Sequence, residues 1–415
     1  MRNKLSIGLF GFGVVGTGLY EVLNKSQLLD ARIAKIVVKN KTKTRQLDAS
    51  YFSYEKEAIL DDPSINVVVE LINDSEAAYD IVSTALKNGK HVVSANKKLI
   101  AEHFEELIQL AKENGVSFLY EAAVGGSIPI IRNLEEYYNN DTLSAVQGIV
   151  NGTTNYILTQ ANSGIAYAEA LKKAQELGFA EIDPTLDVDG FDSKFKLVLL
   201  MKHAFGIIVN PSDVFNCGIR QIKPQDVRYA NEKGYRIKLF SRAEKLADGI
   251  AGFVAPHFVT RDHFAYQVNN EFNAVVVEAA FSDKQLFIGK GAGSYPTASA
   301  VLSDVSALQF DYSYEYKKTL ANDTTRFTQD FYVAVYVGST SREALNKVNL
   351  QQLDEVYQSK DYNYETGWVK FSDLIQLDLN NEADLSVILL PEEVLGIDAF
   401  EKRFTHAEAH VNGEI

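Results

Sequence analysis

The chain has 415 residues, 46% of them hydrophobic and 23% charged, the balance of a soluble globular protein with two or three domains. Disordered, collagenous and disulfide-scaffold classes are excluded, the last because Cys217 is the sole cysteine and fits a reducing compartment. A net charge of −14 excludes a general nucleic-acid binder, which needs a basic face.

At the amino terminus Arg2 and Lys4 precede an apolar stretch from Leu5 to Leu19. Gly8, Gly11, Gly13, Gly16 and Gly18 interrupt it, and no small-residue cleavage site follows, so it does not read as a secretory signal. No run reaches the roughly 18 apolar residues of a membrane span. A cytoplasmic protein without a membrane partner is expected, with no kinase domain fused ahead of the nucleotide fold.

Residues 5–10 read as a buried strand. Gly11-Phe12-Gly13-Val14-Val15-Gly16 follows at once, and an apolar-periodic helix then carries Leu19, Val22 and Leu23. Strand, GxGxxG and helix in that order form the context of a dinucleotide-binding turn. Gly11 permits the tight turn, Gly13 lets the backbone approach a pyrophosphate, and Gly16 lets the helix pack on the strand. The helix then offers its free N–H groups to the phosphates. The second strand, at 33–38, ends in Lys39-Asn-Lys41-Thr-Lys43-Thr-Arg45, within a run from 31 to 47 that holds six Lys or Arg and no acid. No carboxylate is available there for a ribose 2′-hydroxyl. Lys39 and Arg45 surround the place of a 2′-phosphate, which predicts NADP(H) as the preferred cofactor and NAD(H) as the second choice.

Further strands at 67–72, 91–94 and 116–120 alternate with helices at 77–88 and 102–114. The alternation predicts an α/β fold with a doubly wound parallel sheet of Rossmann type. Ligands then bind at the strand carboxyl ends, where Asn73, Lys97 and Glu121 stand. A glycine-rich turn, Val124-Gly-Gly126-Ser-Ile128-Pro129, precedes an amphipathic helix. A strand at 146–150 leads into Asn151-Gly-Thr-Thr-Asn155, a polar loop with helix-capping residues.

Five carboxylates then fall within twelve residues: Glu181, Asp183, Asp187, Asp189 and Asp192. Asp192 and Lys196, four apart, share one helical face in the favourable order. The apolar helix that follows implies partial burial, where a lysine can trade a proton. An EF-hand fails, because Gly190 at the sixth loop position puts Thr185 and Lys196 at the two ends. A solvated acidic loop with a surface ion pair stays open on spacing alone.

Together these segments resemble the homoserine dehydrogenase family over about residues 5–310. The motifs are Gly11 to Gly16, Ala95-Asn-Lys-Lys98, Glu121-Ala-Ala-Val-Gly-Gly126, the 151–155 loop, Gly178 to Lys196, and Gly291-Ala-Gly293-Ser-Tyr-Pro-Thr-Ala-Ser299. The resemblance implies NAD(P)H-dependent reduction of L-aspartate 4-semialdehyde to L-homoserine, in amino-acid biosynthesis. It implies Lys196 as the acid/base at the nascent alkoxide and Lys97 as a second cation near nicotinamide and substrate. Glu181, Asp187 and Asp192 would hold the substrate and its ammonium, and Gly293 would return to the cofactor. Glu121, Val124, Gly126 and Ile128 resemble the family's monovalent-cation site, for Na+. The chemistry agrees: hydride addition builds negative charge on oxygen, which an ammonium stabilises and neutralises. Asn73-Asp-Ser75 departs from the family's usual turn.

The resemblance also implies a domain plan. Residues 1–125 would form the nucleotide domain, completed by a helix at about 297–318. Residues 126–296 would form an α+β substrate-binding and dimerisation domain, giving a homodimer or higher oligomer. From Asp330 onward 16 acidic and 6 basic residues predict a separate module with its own surface. Its reading is a strand at 331–337, a helix at 345–356 and strands at 374–379 and 385–390. Many homoserine dehydrogenases carry an ACT domain here. Gly338-Ser-Thr-Ser-Arg342 replaces the Asp-x-Pro-Gly turn that borders an effector pocket. An ACT-like α+β module over 329–415 is therefore expected to serve assembly, not amino-acid regulation.

Two rival readings stay open. An aspartate-semialdehyde dehydrogenase needs a thiol nucleophile, for which Cys217 is the one candidate. A nucleotide-sensing protein would use the fold without turnover. Seven scattered histidines form no zinc motif.

Overall fold

The computed structural model of the chain describes residues 4–26, 29–321 and 325–411. Arg2, named above ahead of the apolar stretch, lies outside these. The backbone divides into two units. The first holds Met1–Asn140, Val198–Gly206 and Phe287–Ala321; the second holds Asp141–Leu197, Ile207–Leu286 and Asn322–Ile415.

The first unit begins with β1 (Leu5–Phe10), α1 (Val14–Lys25), β2 (Ala31–Val37), β3 (Phe52–Ser53), α2 (Glu57–Leu60) and β4 (Val67–Glu70). It continues with α3 (Ser75–Lys87), β5 (His91–Ser94), α4 (Lys97–Glu102), α5 (Phe104–Glu113), β6 (Phe118–Leu119) and α6 (Ile130–Glu135). Among the described residues the strands pair in the order β3-β2-β1-β4-β5-β6, all parallel. This is the doubly wound Rossmann order. Its reversal between β1 and β4 opens a ligand crevice at their carboxyl ends. β1 and β4 are buried along their whole length, as helices on both faces require. The helix expected at 102–114 is α5, and a shorter helix, α4, precedes it across His103.

The chain goes on through β7 (Leu143–Ile149), α7 (Gly152–Asn162), α8 (Tyr167–Glu176), α9 (Thr185–Val188), α10 (Phe191–Phe205) and β8 (Phe215–Asn216). Then come α11 (Pro224–Lys233), β9 (Arg236–Leu246), β10 (Gly249–Val259), β11 (Phe272–Ala279) and β12 (Asp283–Lys290). α12 (Ser294–Leu308) and α13 (Lys317–Ala321) return to the first unit. There the Ser294 hydroxyl donates to the Val14 carbonyl at 2.9 Å, and the Tyr295 hydroxyl bonds Glu21. Last are β13 (Phe327–Thr328), β14 (Phe331–Ser339), α14 (Arg342–Leu345), β15 (Leu350–Gln358), β16 (Asn363–Lys370), α15 (Phe371–Leu374), β17 (Ser386–Leu389), β18 (Leu395–Gly396) and α16 (Ile397–Val411).

The second sheet runs β12-β11-β7-β9-β10-β17-β14-β16-β15. β9 and β10 form a hairpin with Gly249 opposite Leu246 and Val259 opposite Arg236. β10 is buried at every residue, so it is an interior strand. The tail repeats strand-helix-strand-strand-helix-strand with the antiparallel order β17-β14-β16-β15, a split βαβ arrangement. It does not keep a core to itself. β17 also meets β10 at His257–Leu389, and one apolar cluster takes Phe253 and Ala255 together with Phe331, Val335, Phe371 and Leu389.

Two tail segments differ from the sequence expectation. Residues 345–356 are not a helix, because α14 ends at Leu345 and β15 takes over at Leu350. Leu350, Leu353 and Val356 recur every third residue and so mimic a helical stripe. Register shifts between Leu350 and Gln352 and between Leu353 and Glu355 let a bulged strand carry that spacing. Residues 374–379 are not a strand. The Leu377 N–H donates to the Leu374 carbonyl at 3.1 Å and the Leu379 N–H to Leu377 at 3.0 Å, turning the chain while its leucines enter the core. Among the described residues no helix is long and apolar enough to cross a membrane.

Candidate active site

β1 delivers Gly11 at φ +95°, where a Cβ would stand 2.6 Å from the Leu71 carbonyl oxygen. A Cβ on Gly16 would stand 2.3 Å from the Gly11 carbonyl oxygen. Both glycines answer to the protein's own backbone. Gly13 differs, because a Cβ there would meet no protein atom within 4 Å. It caps α1 without a side-chain bond, and Val14 beside it is 70% exposed. Uncapped first-turn N–H groups next to a glycine with free space suit a pyrophosphate, so the residues present fit a dinucleotide. Phe12 lies edge-on to Tyr20 and Phe52, with centroids 6.4 and 5.5 Å away, and Val15 is half-buried.

The basic loop after β2 is internally bonded. Asn40 Oδ1 accepts from the N–H groups of Thr42 at 2.8 Å and Lys43 at 3.1 Å. Arg45 spans the loop, donating from Nη1 to the Lys43 carbonyl at 2.9 Å and from Nη2 to the Asn40 carbonyl at 2.8 Å. Its guanidinium lies 5.2 Å from the Phe52 centroid. Lys39 and Asn73 are exposed. Lys97 opens α4, whose cap Asn96 accepts from the Leu99 N–H at 3.1 Å. Gly293 caps α12 at φ +120°.

In the second unit α10 starts at Phe191, which puts Asp192 in its first turn and Lys196 one turn on. Lys196 Nζ pairs with Asp192 Oδ2 at 2.7 Å and donates to the Val150 carbonyl at 2.7 Å. Both side chains are less than a tenth exposed, so this is a buried pair and not a surface one. An ammonium has three donors, and the third has no partner among the described residues. Asn151 ties the acids together. Its Nδ2 donates to Asp187 Oδ1 at 2.7 Å and Asp192 Oδ2 at 2.9 Å, while Oδ1 caps α7 by accepting from the Thr154 N–H at 2.8 Å.

Sequence reasoning foresaw the Asn151 cap and missed its second use. A polar residue before Gly-Thr-Thr signals a helix start; no spacing signals a bond to acids 36 and 41 residues away. Arg220, which pairs with Asp189 at 2.8 Å, was missed for the same reason. Glu181 does not join this cluster. It is exposed, and its carbonyl accepts from Gln175 at 3.0 Å.

Glu121, Val124, Gly126 and Ile128 are all buried in one turn of the first unit. The two Glu121 carboxylate oxygens accept from the N–H groups of Ile131 at 2.9 Å and Arg132 at 2.8 Å. Asp304 accepts from the Glu121 N–H and from Arg132 Nη2, both at 2.8 Å. Burial, then the Asp304 charge, push the Glu121 carboxyl above its ordinary range. The turn offers oxygen donors only, the chemistry of a hard cation. Cys217 is buried, and burial lifts its thiol to about 12, the opposite of what a nucleophile requires.

A family model described as homoserine dehydrogenase matches residues 129–306, and one described as the homoserine dehydrogenase NAD-binding domain matches residues 11–121. The chain is 35% identical to the homoserine dehydrogenase of Bacillus subtilis, covering 93% of this chain and 96% of that one. It is 41% identical to the homoserine dehydrogenase of Synechocystis, covering 72% of each. A solved homoserine dehydrogenase from Thiobacillus denitrificans superposes with a TM-score of 0.84 at 31% identity, covering 94% of this chain and 100% of that one. A hyperthermophilic archaeal homoserine dehydrogenase in complex with NADPH gives a TM-score of 0.65 at 26% identity, covering 75% of this chain and 100% of that one.

Proposed function

The chain belongs to the homoserine dehydrogenase family of NAD(P)-dependent oxidoreductases, and on that premise we propose which residues carry the reduction of L-aspartate 4-semialdehyde to L-homoserine. When bound, the reduced nicotinamide supplies the hydride. Lys196 gives a proton to the aldehyde oxygen as it gains charge. The observation that carries this role is the buried ammonium with two donors fixed, by Asp192 and Val150, and one left over. The Asp192 carboxylate balances the buried charge, and the Val150 carbonyl aims the group. Asp187, half-buried on the other side of Asn151, takes the substrate ammonium, and Glu181 adds a second carboxylate from its exposed loop. Lys97 serves the nicotinamide end from the start of α4. Lys196→Ala should cut turnover by about 10²–10⁴. The readout is the near-ultraviolet absorbance of reduced nicotinamide with homoserine as substrate, and a variant within a few-fold of wild type rejects the role.

The cofactor turn is Gly11 to Gly16, with Asn73 and Gly293 at its edges. The basic loop supports NADP(H) over NAD(H), with the 2′-phosphate met by Lys39 and by Arg45 held over Phe52. Equal or better kcat/KM with NAD+ rejects that preference. The oxygens of Glu121, Val124, Gly126 and Ile128 suit a monovalent cation such as Na+. Activity unchanged when Na+ is replaced by tetramethylammonium argues against it.

The domain plan is residues 1–125 completed by the returning segment at about 297–318, of which α12 is helical only to Leu308, then 126–296, then an ACT-like 329–415. The bond from Ser294 to Val14 and the β17-β14-β16-β15 order support it. Asp384 fills the turn after β14, accepting from Lys223 Nζ at 2.5 Å, Ser339 Oγ at 2.9 Å and Thr340 Oγ1 at 2.7 Å. With those donors engaged, added threonine should leave activity unchanged, and strong inhibition rejects this reading. The protein acts as a cytoplasmic homodimer or higher oligomer, which a monomer mass in solution would refute.

A further inference from the structure

Glu70 ends β4 fully buried, and among the described residues no cation pairs with it. Its two oxygens serve different partners. Oε1 accepts from the Ile72 N–H at 2.7 Å, and Oε2 accepts from the Ser94 hydroxyl at 2.6 Å. Ser94 stands opposite Glu70 in the parallel register of β4 and β5. The Ser94 oxygen accepts in turn from the Asn96 N–H at 3.1 Å, and Asn96 Nδ2 donates to the Ile72 carbonyl at 3.1 Å. The four residues close a ring that holds both the N–H and the C=O of Ile72.

The ring touches two parts of the dinucleotide site. On one side are the Leu71 carbonyl oxygen and Ile72 Cγ2, at 2.6 and 3.2 Å from where a Cβ on Gly11 would stand. On the other is the Asn96 cap of α4, from which Lys97 projects. A buried carboxylate without a cation is costly, and burial lifts Glu70 to about 7. An apolar side chain would pack between these strands without that cost. It would also leave the Ile72 N–H and the Ser94 hydroxyl unpaired.

We propose that Glu70 is a positioning residue for the dinucleotide, acting through Ser94 and Asn96 to fix the wall against which the glycine turn rests and the start of α4. The inference rests on the dinucleotide reading above and assigns it a residue that touches neither substrate nor cofactor. The test uses Glu70→Gln and Ser94→Ala in the full chain. Gln can accept from Ile72 and donate to Ser94, so it reverses one bond while keeping the volume. NADPH dissociation constants come from NADPH fluorescence titration, and KM values for NADP+ and homoserine from steady-state rates.

Both variants should weaken NADPH binding about ten-fold and raise KM for NADP+ in step, with homoserine KM within about two-fold of wild type. Unchanged NADPH affinity in folded variants overturns the proposal. So does an equal rise in both KM values, which marks general damage. If Glu70→Gln does not fold, Ser94→Ala decides alone, since it deletes a single hydroxyl. A wild type that binds NADPH but does not oxidise homoserine refutes the function proposed above, and the affinity ratio then still judges this inference.

Discussion

In the first unit residues 11–16 would meet a dinucleotide with backbone N–H groups, and side chains there mainly need to be absent. In the second unit Lys196 has one backbone partner, the Val150 carbonyl, and its other surroundings are side chains held by side chains: Asp192, Asn151 and, through Asn151, Asp187. The first construction is sensitive to volume and indifferent to charge. The second keeps its volume under isosteric change and fails on a single proton.

The largest effect that separates the two lies among the glycines. Gly16→Ala puts a Cβ 2.3 Å from the Gly11 carbonyl, so the turn itself must move. Gly13→Ala meets no protein atom within 4 Å, so the fold keeps its geometry and the methyl occupies space that a pyrophosphate needs. Both should lose about 10²-fold in NADPH affinity. Only Gly16→Ala should lower the melting temperature by several degrees. Normal NADPH affinity in Gly13→Ala would show that the turn does not cradle the phosphates.

Asn151→Asp tests the side-chain construction. The cap on Thr154 survives, because that oxygen remains an acceptor. The two donors to Asp187 and Asp192 are lost, and three carboxylates crowd one point, which makes each of them easier to protonate. Turnover should fall about 10–100-fold near neutral pH with NADPH affinity unchanged. Acid should restore part of it, since the new carboxyl group, once protonated, again donates a bond. Loss that does not lessen as pH falls would separate Asn151 from the charge balance of the cluster.

The same contrast explains what could be read in advance. The glycine turn is contiguous, and its residue types follow from backbone geometry, so a doubly wound parallel sheet was legible from strand, GxGxxG, helix and the alternation that follows; the two-residue β3 was too short to read. Lys196 and Asp192 were legible because four residues make one helical turn. Asn151 was not, because its bonds cross 36 and 41 residues of chain. Glu181 stands apart from the buried acids, exposed on the loop ahead of α9, a separation that closeness in sequence did not signal. In the tail, periodicity misled twice. Bulges gave β15 a spacing of three, and a turn gave Leu377 and Leu379 a spacing of two. The tail's shared core with Phe253 was invisible to a reading of local charge.

The smallest effect concerns two buried or tied carboxylates whose shifts have opposite sign. Burial raises Glu70 from 4.5 to about 7, so the folded chain holds that proton more tightly than the unfolded chain. Its contribution is fully present below about pH 4.5 and is lost as pH rises through about 7, at a cost of at most about 3 kcal/mol. Gln does not titrate. The melting temperature of Glu70→Gln relative to wild type should therefore climb between about pH 5 and pH 8 and level off above. Asp384 runs the other way. Burial works to raise it, but the bonds from Lys223, Thr340 and Ser339 outweigh that and hold it well below its ordinary value. Its contribution is present above about pH 4 and lost in acid, so Asp384→Asn should show its deficit at neutral pH and converge on wild type as pH falls. A Glu70→Gln difference that stays flat across the neutral range would mean that the carboxylate is ionised throughout, with its bonds from Ile72 and Ser94 outweighing burial as they do at Asp384.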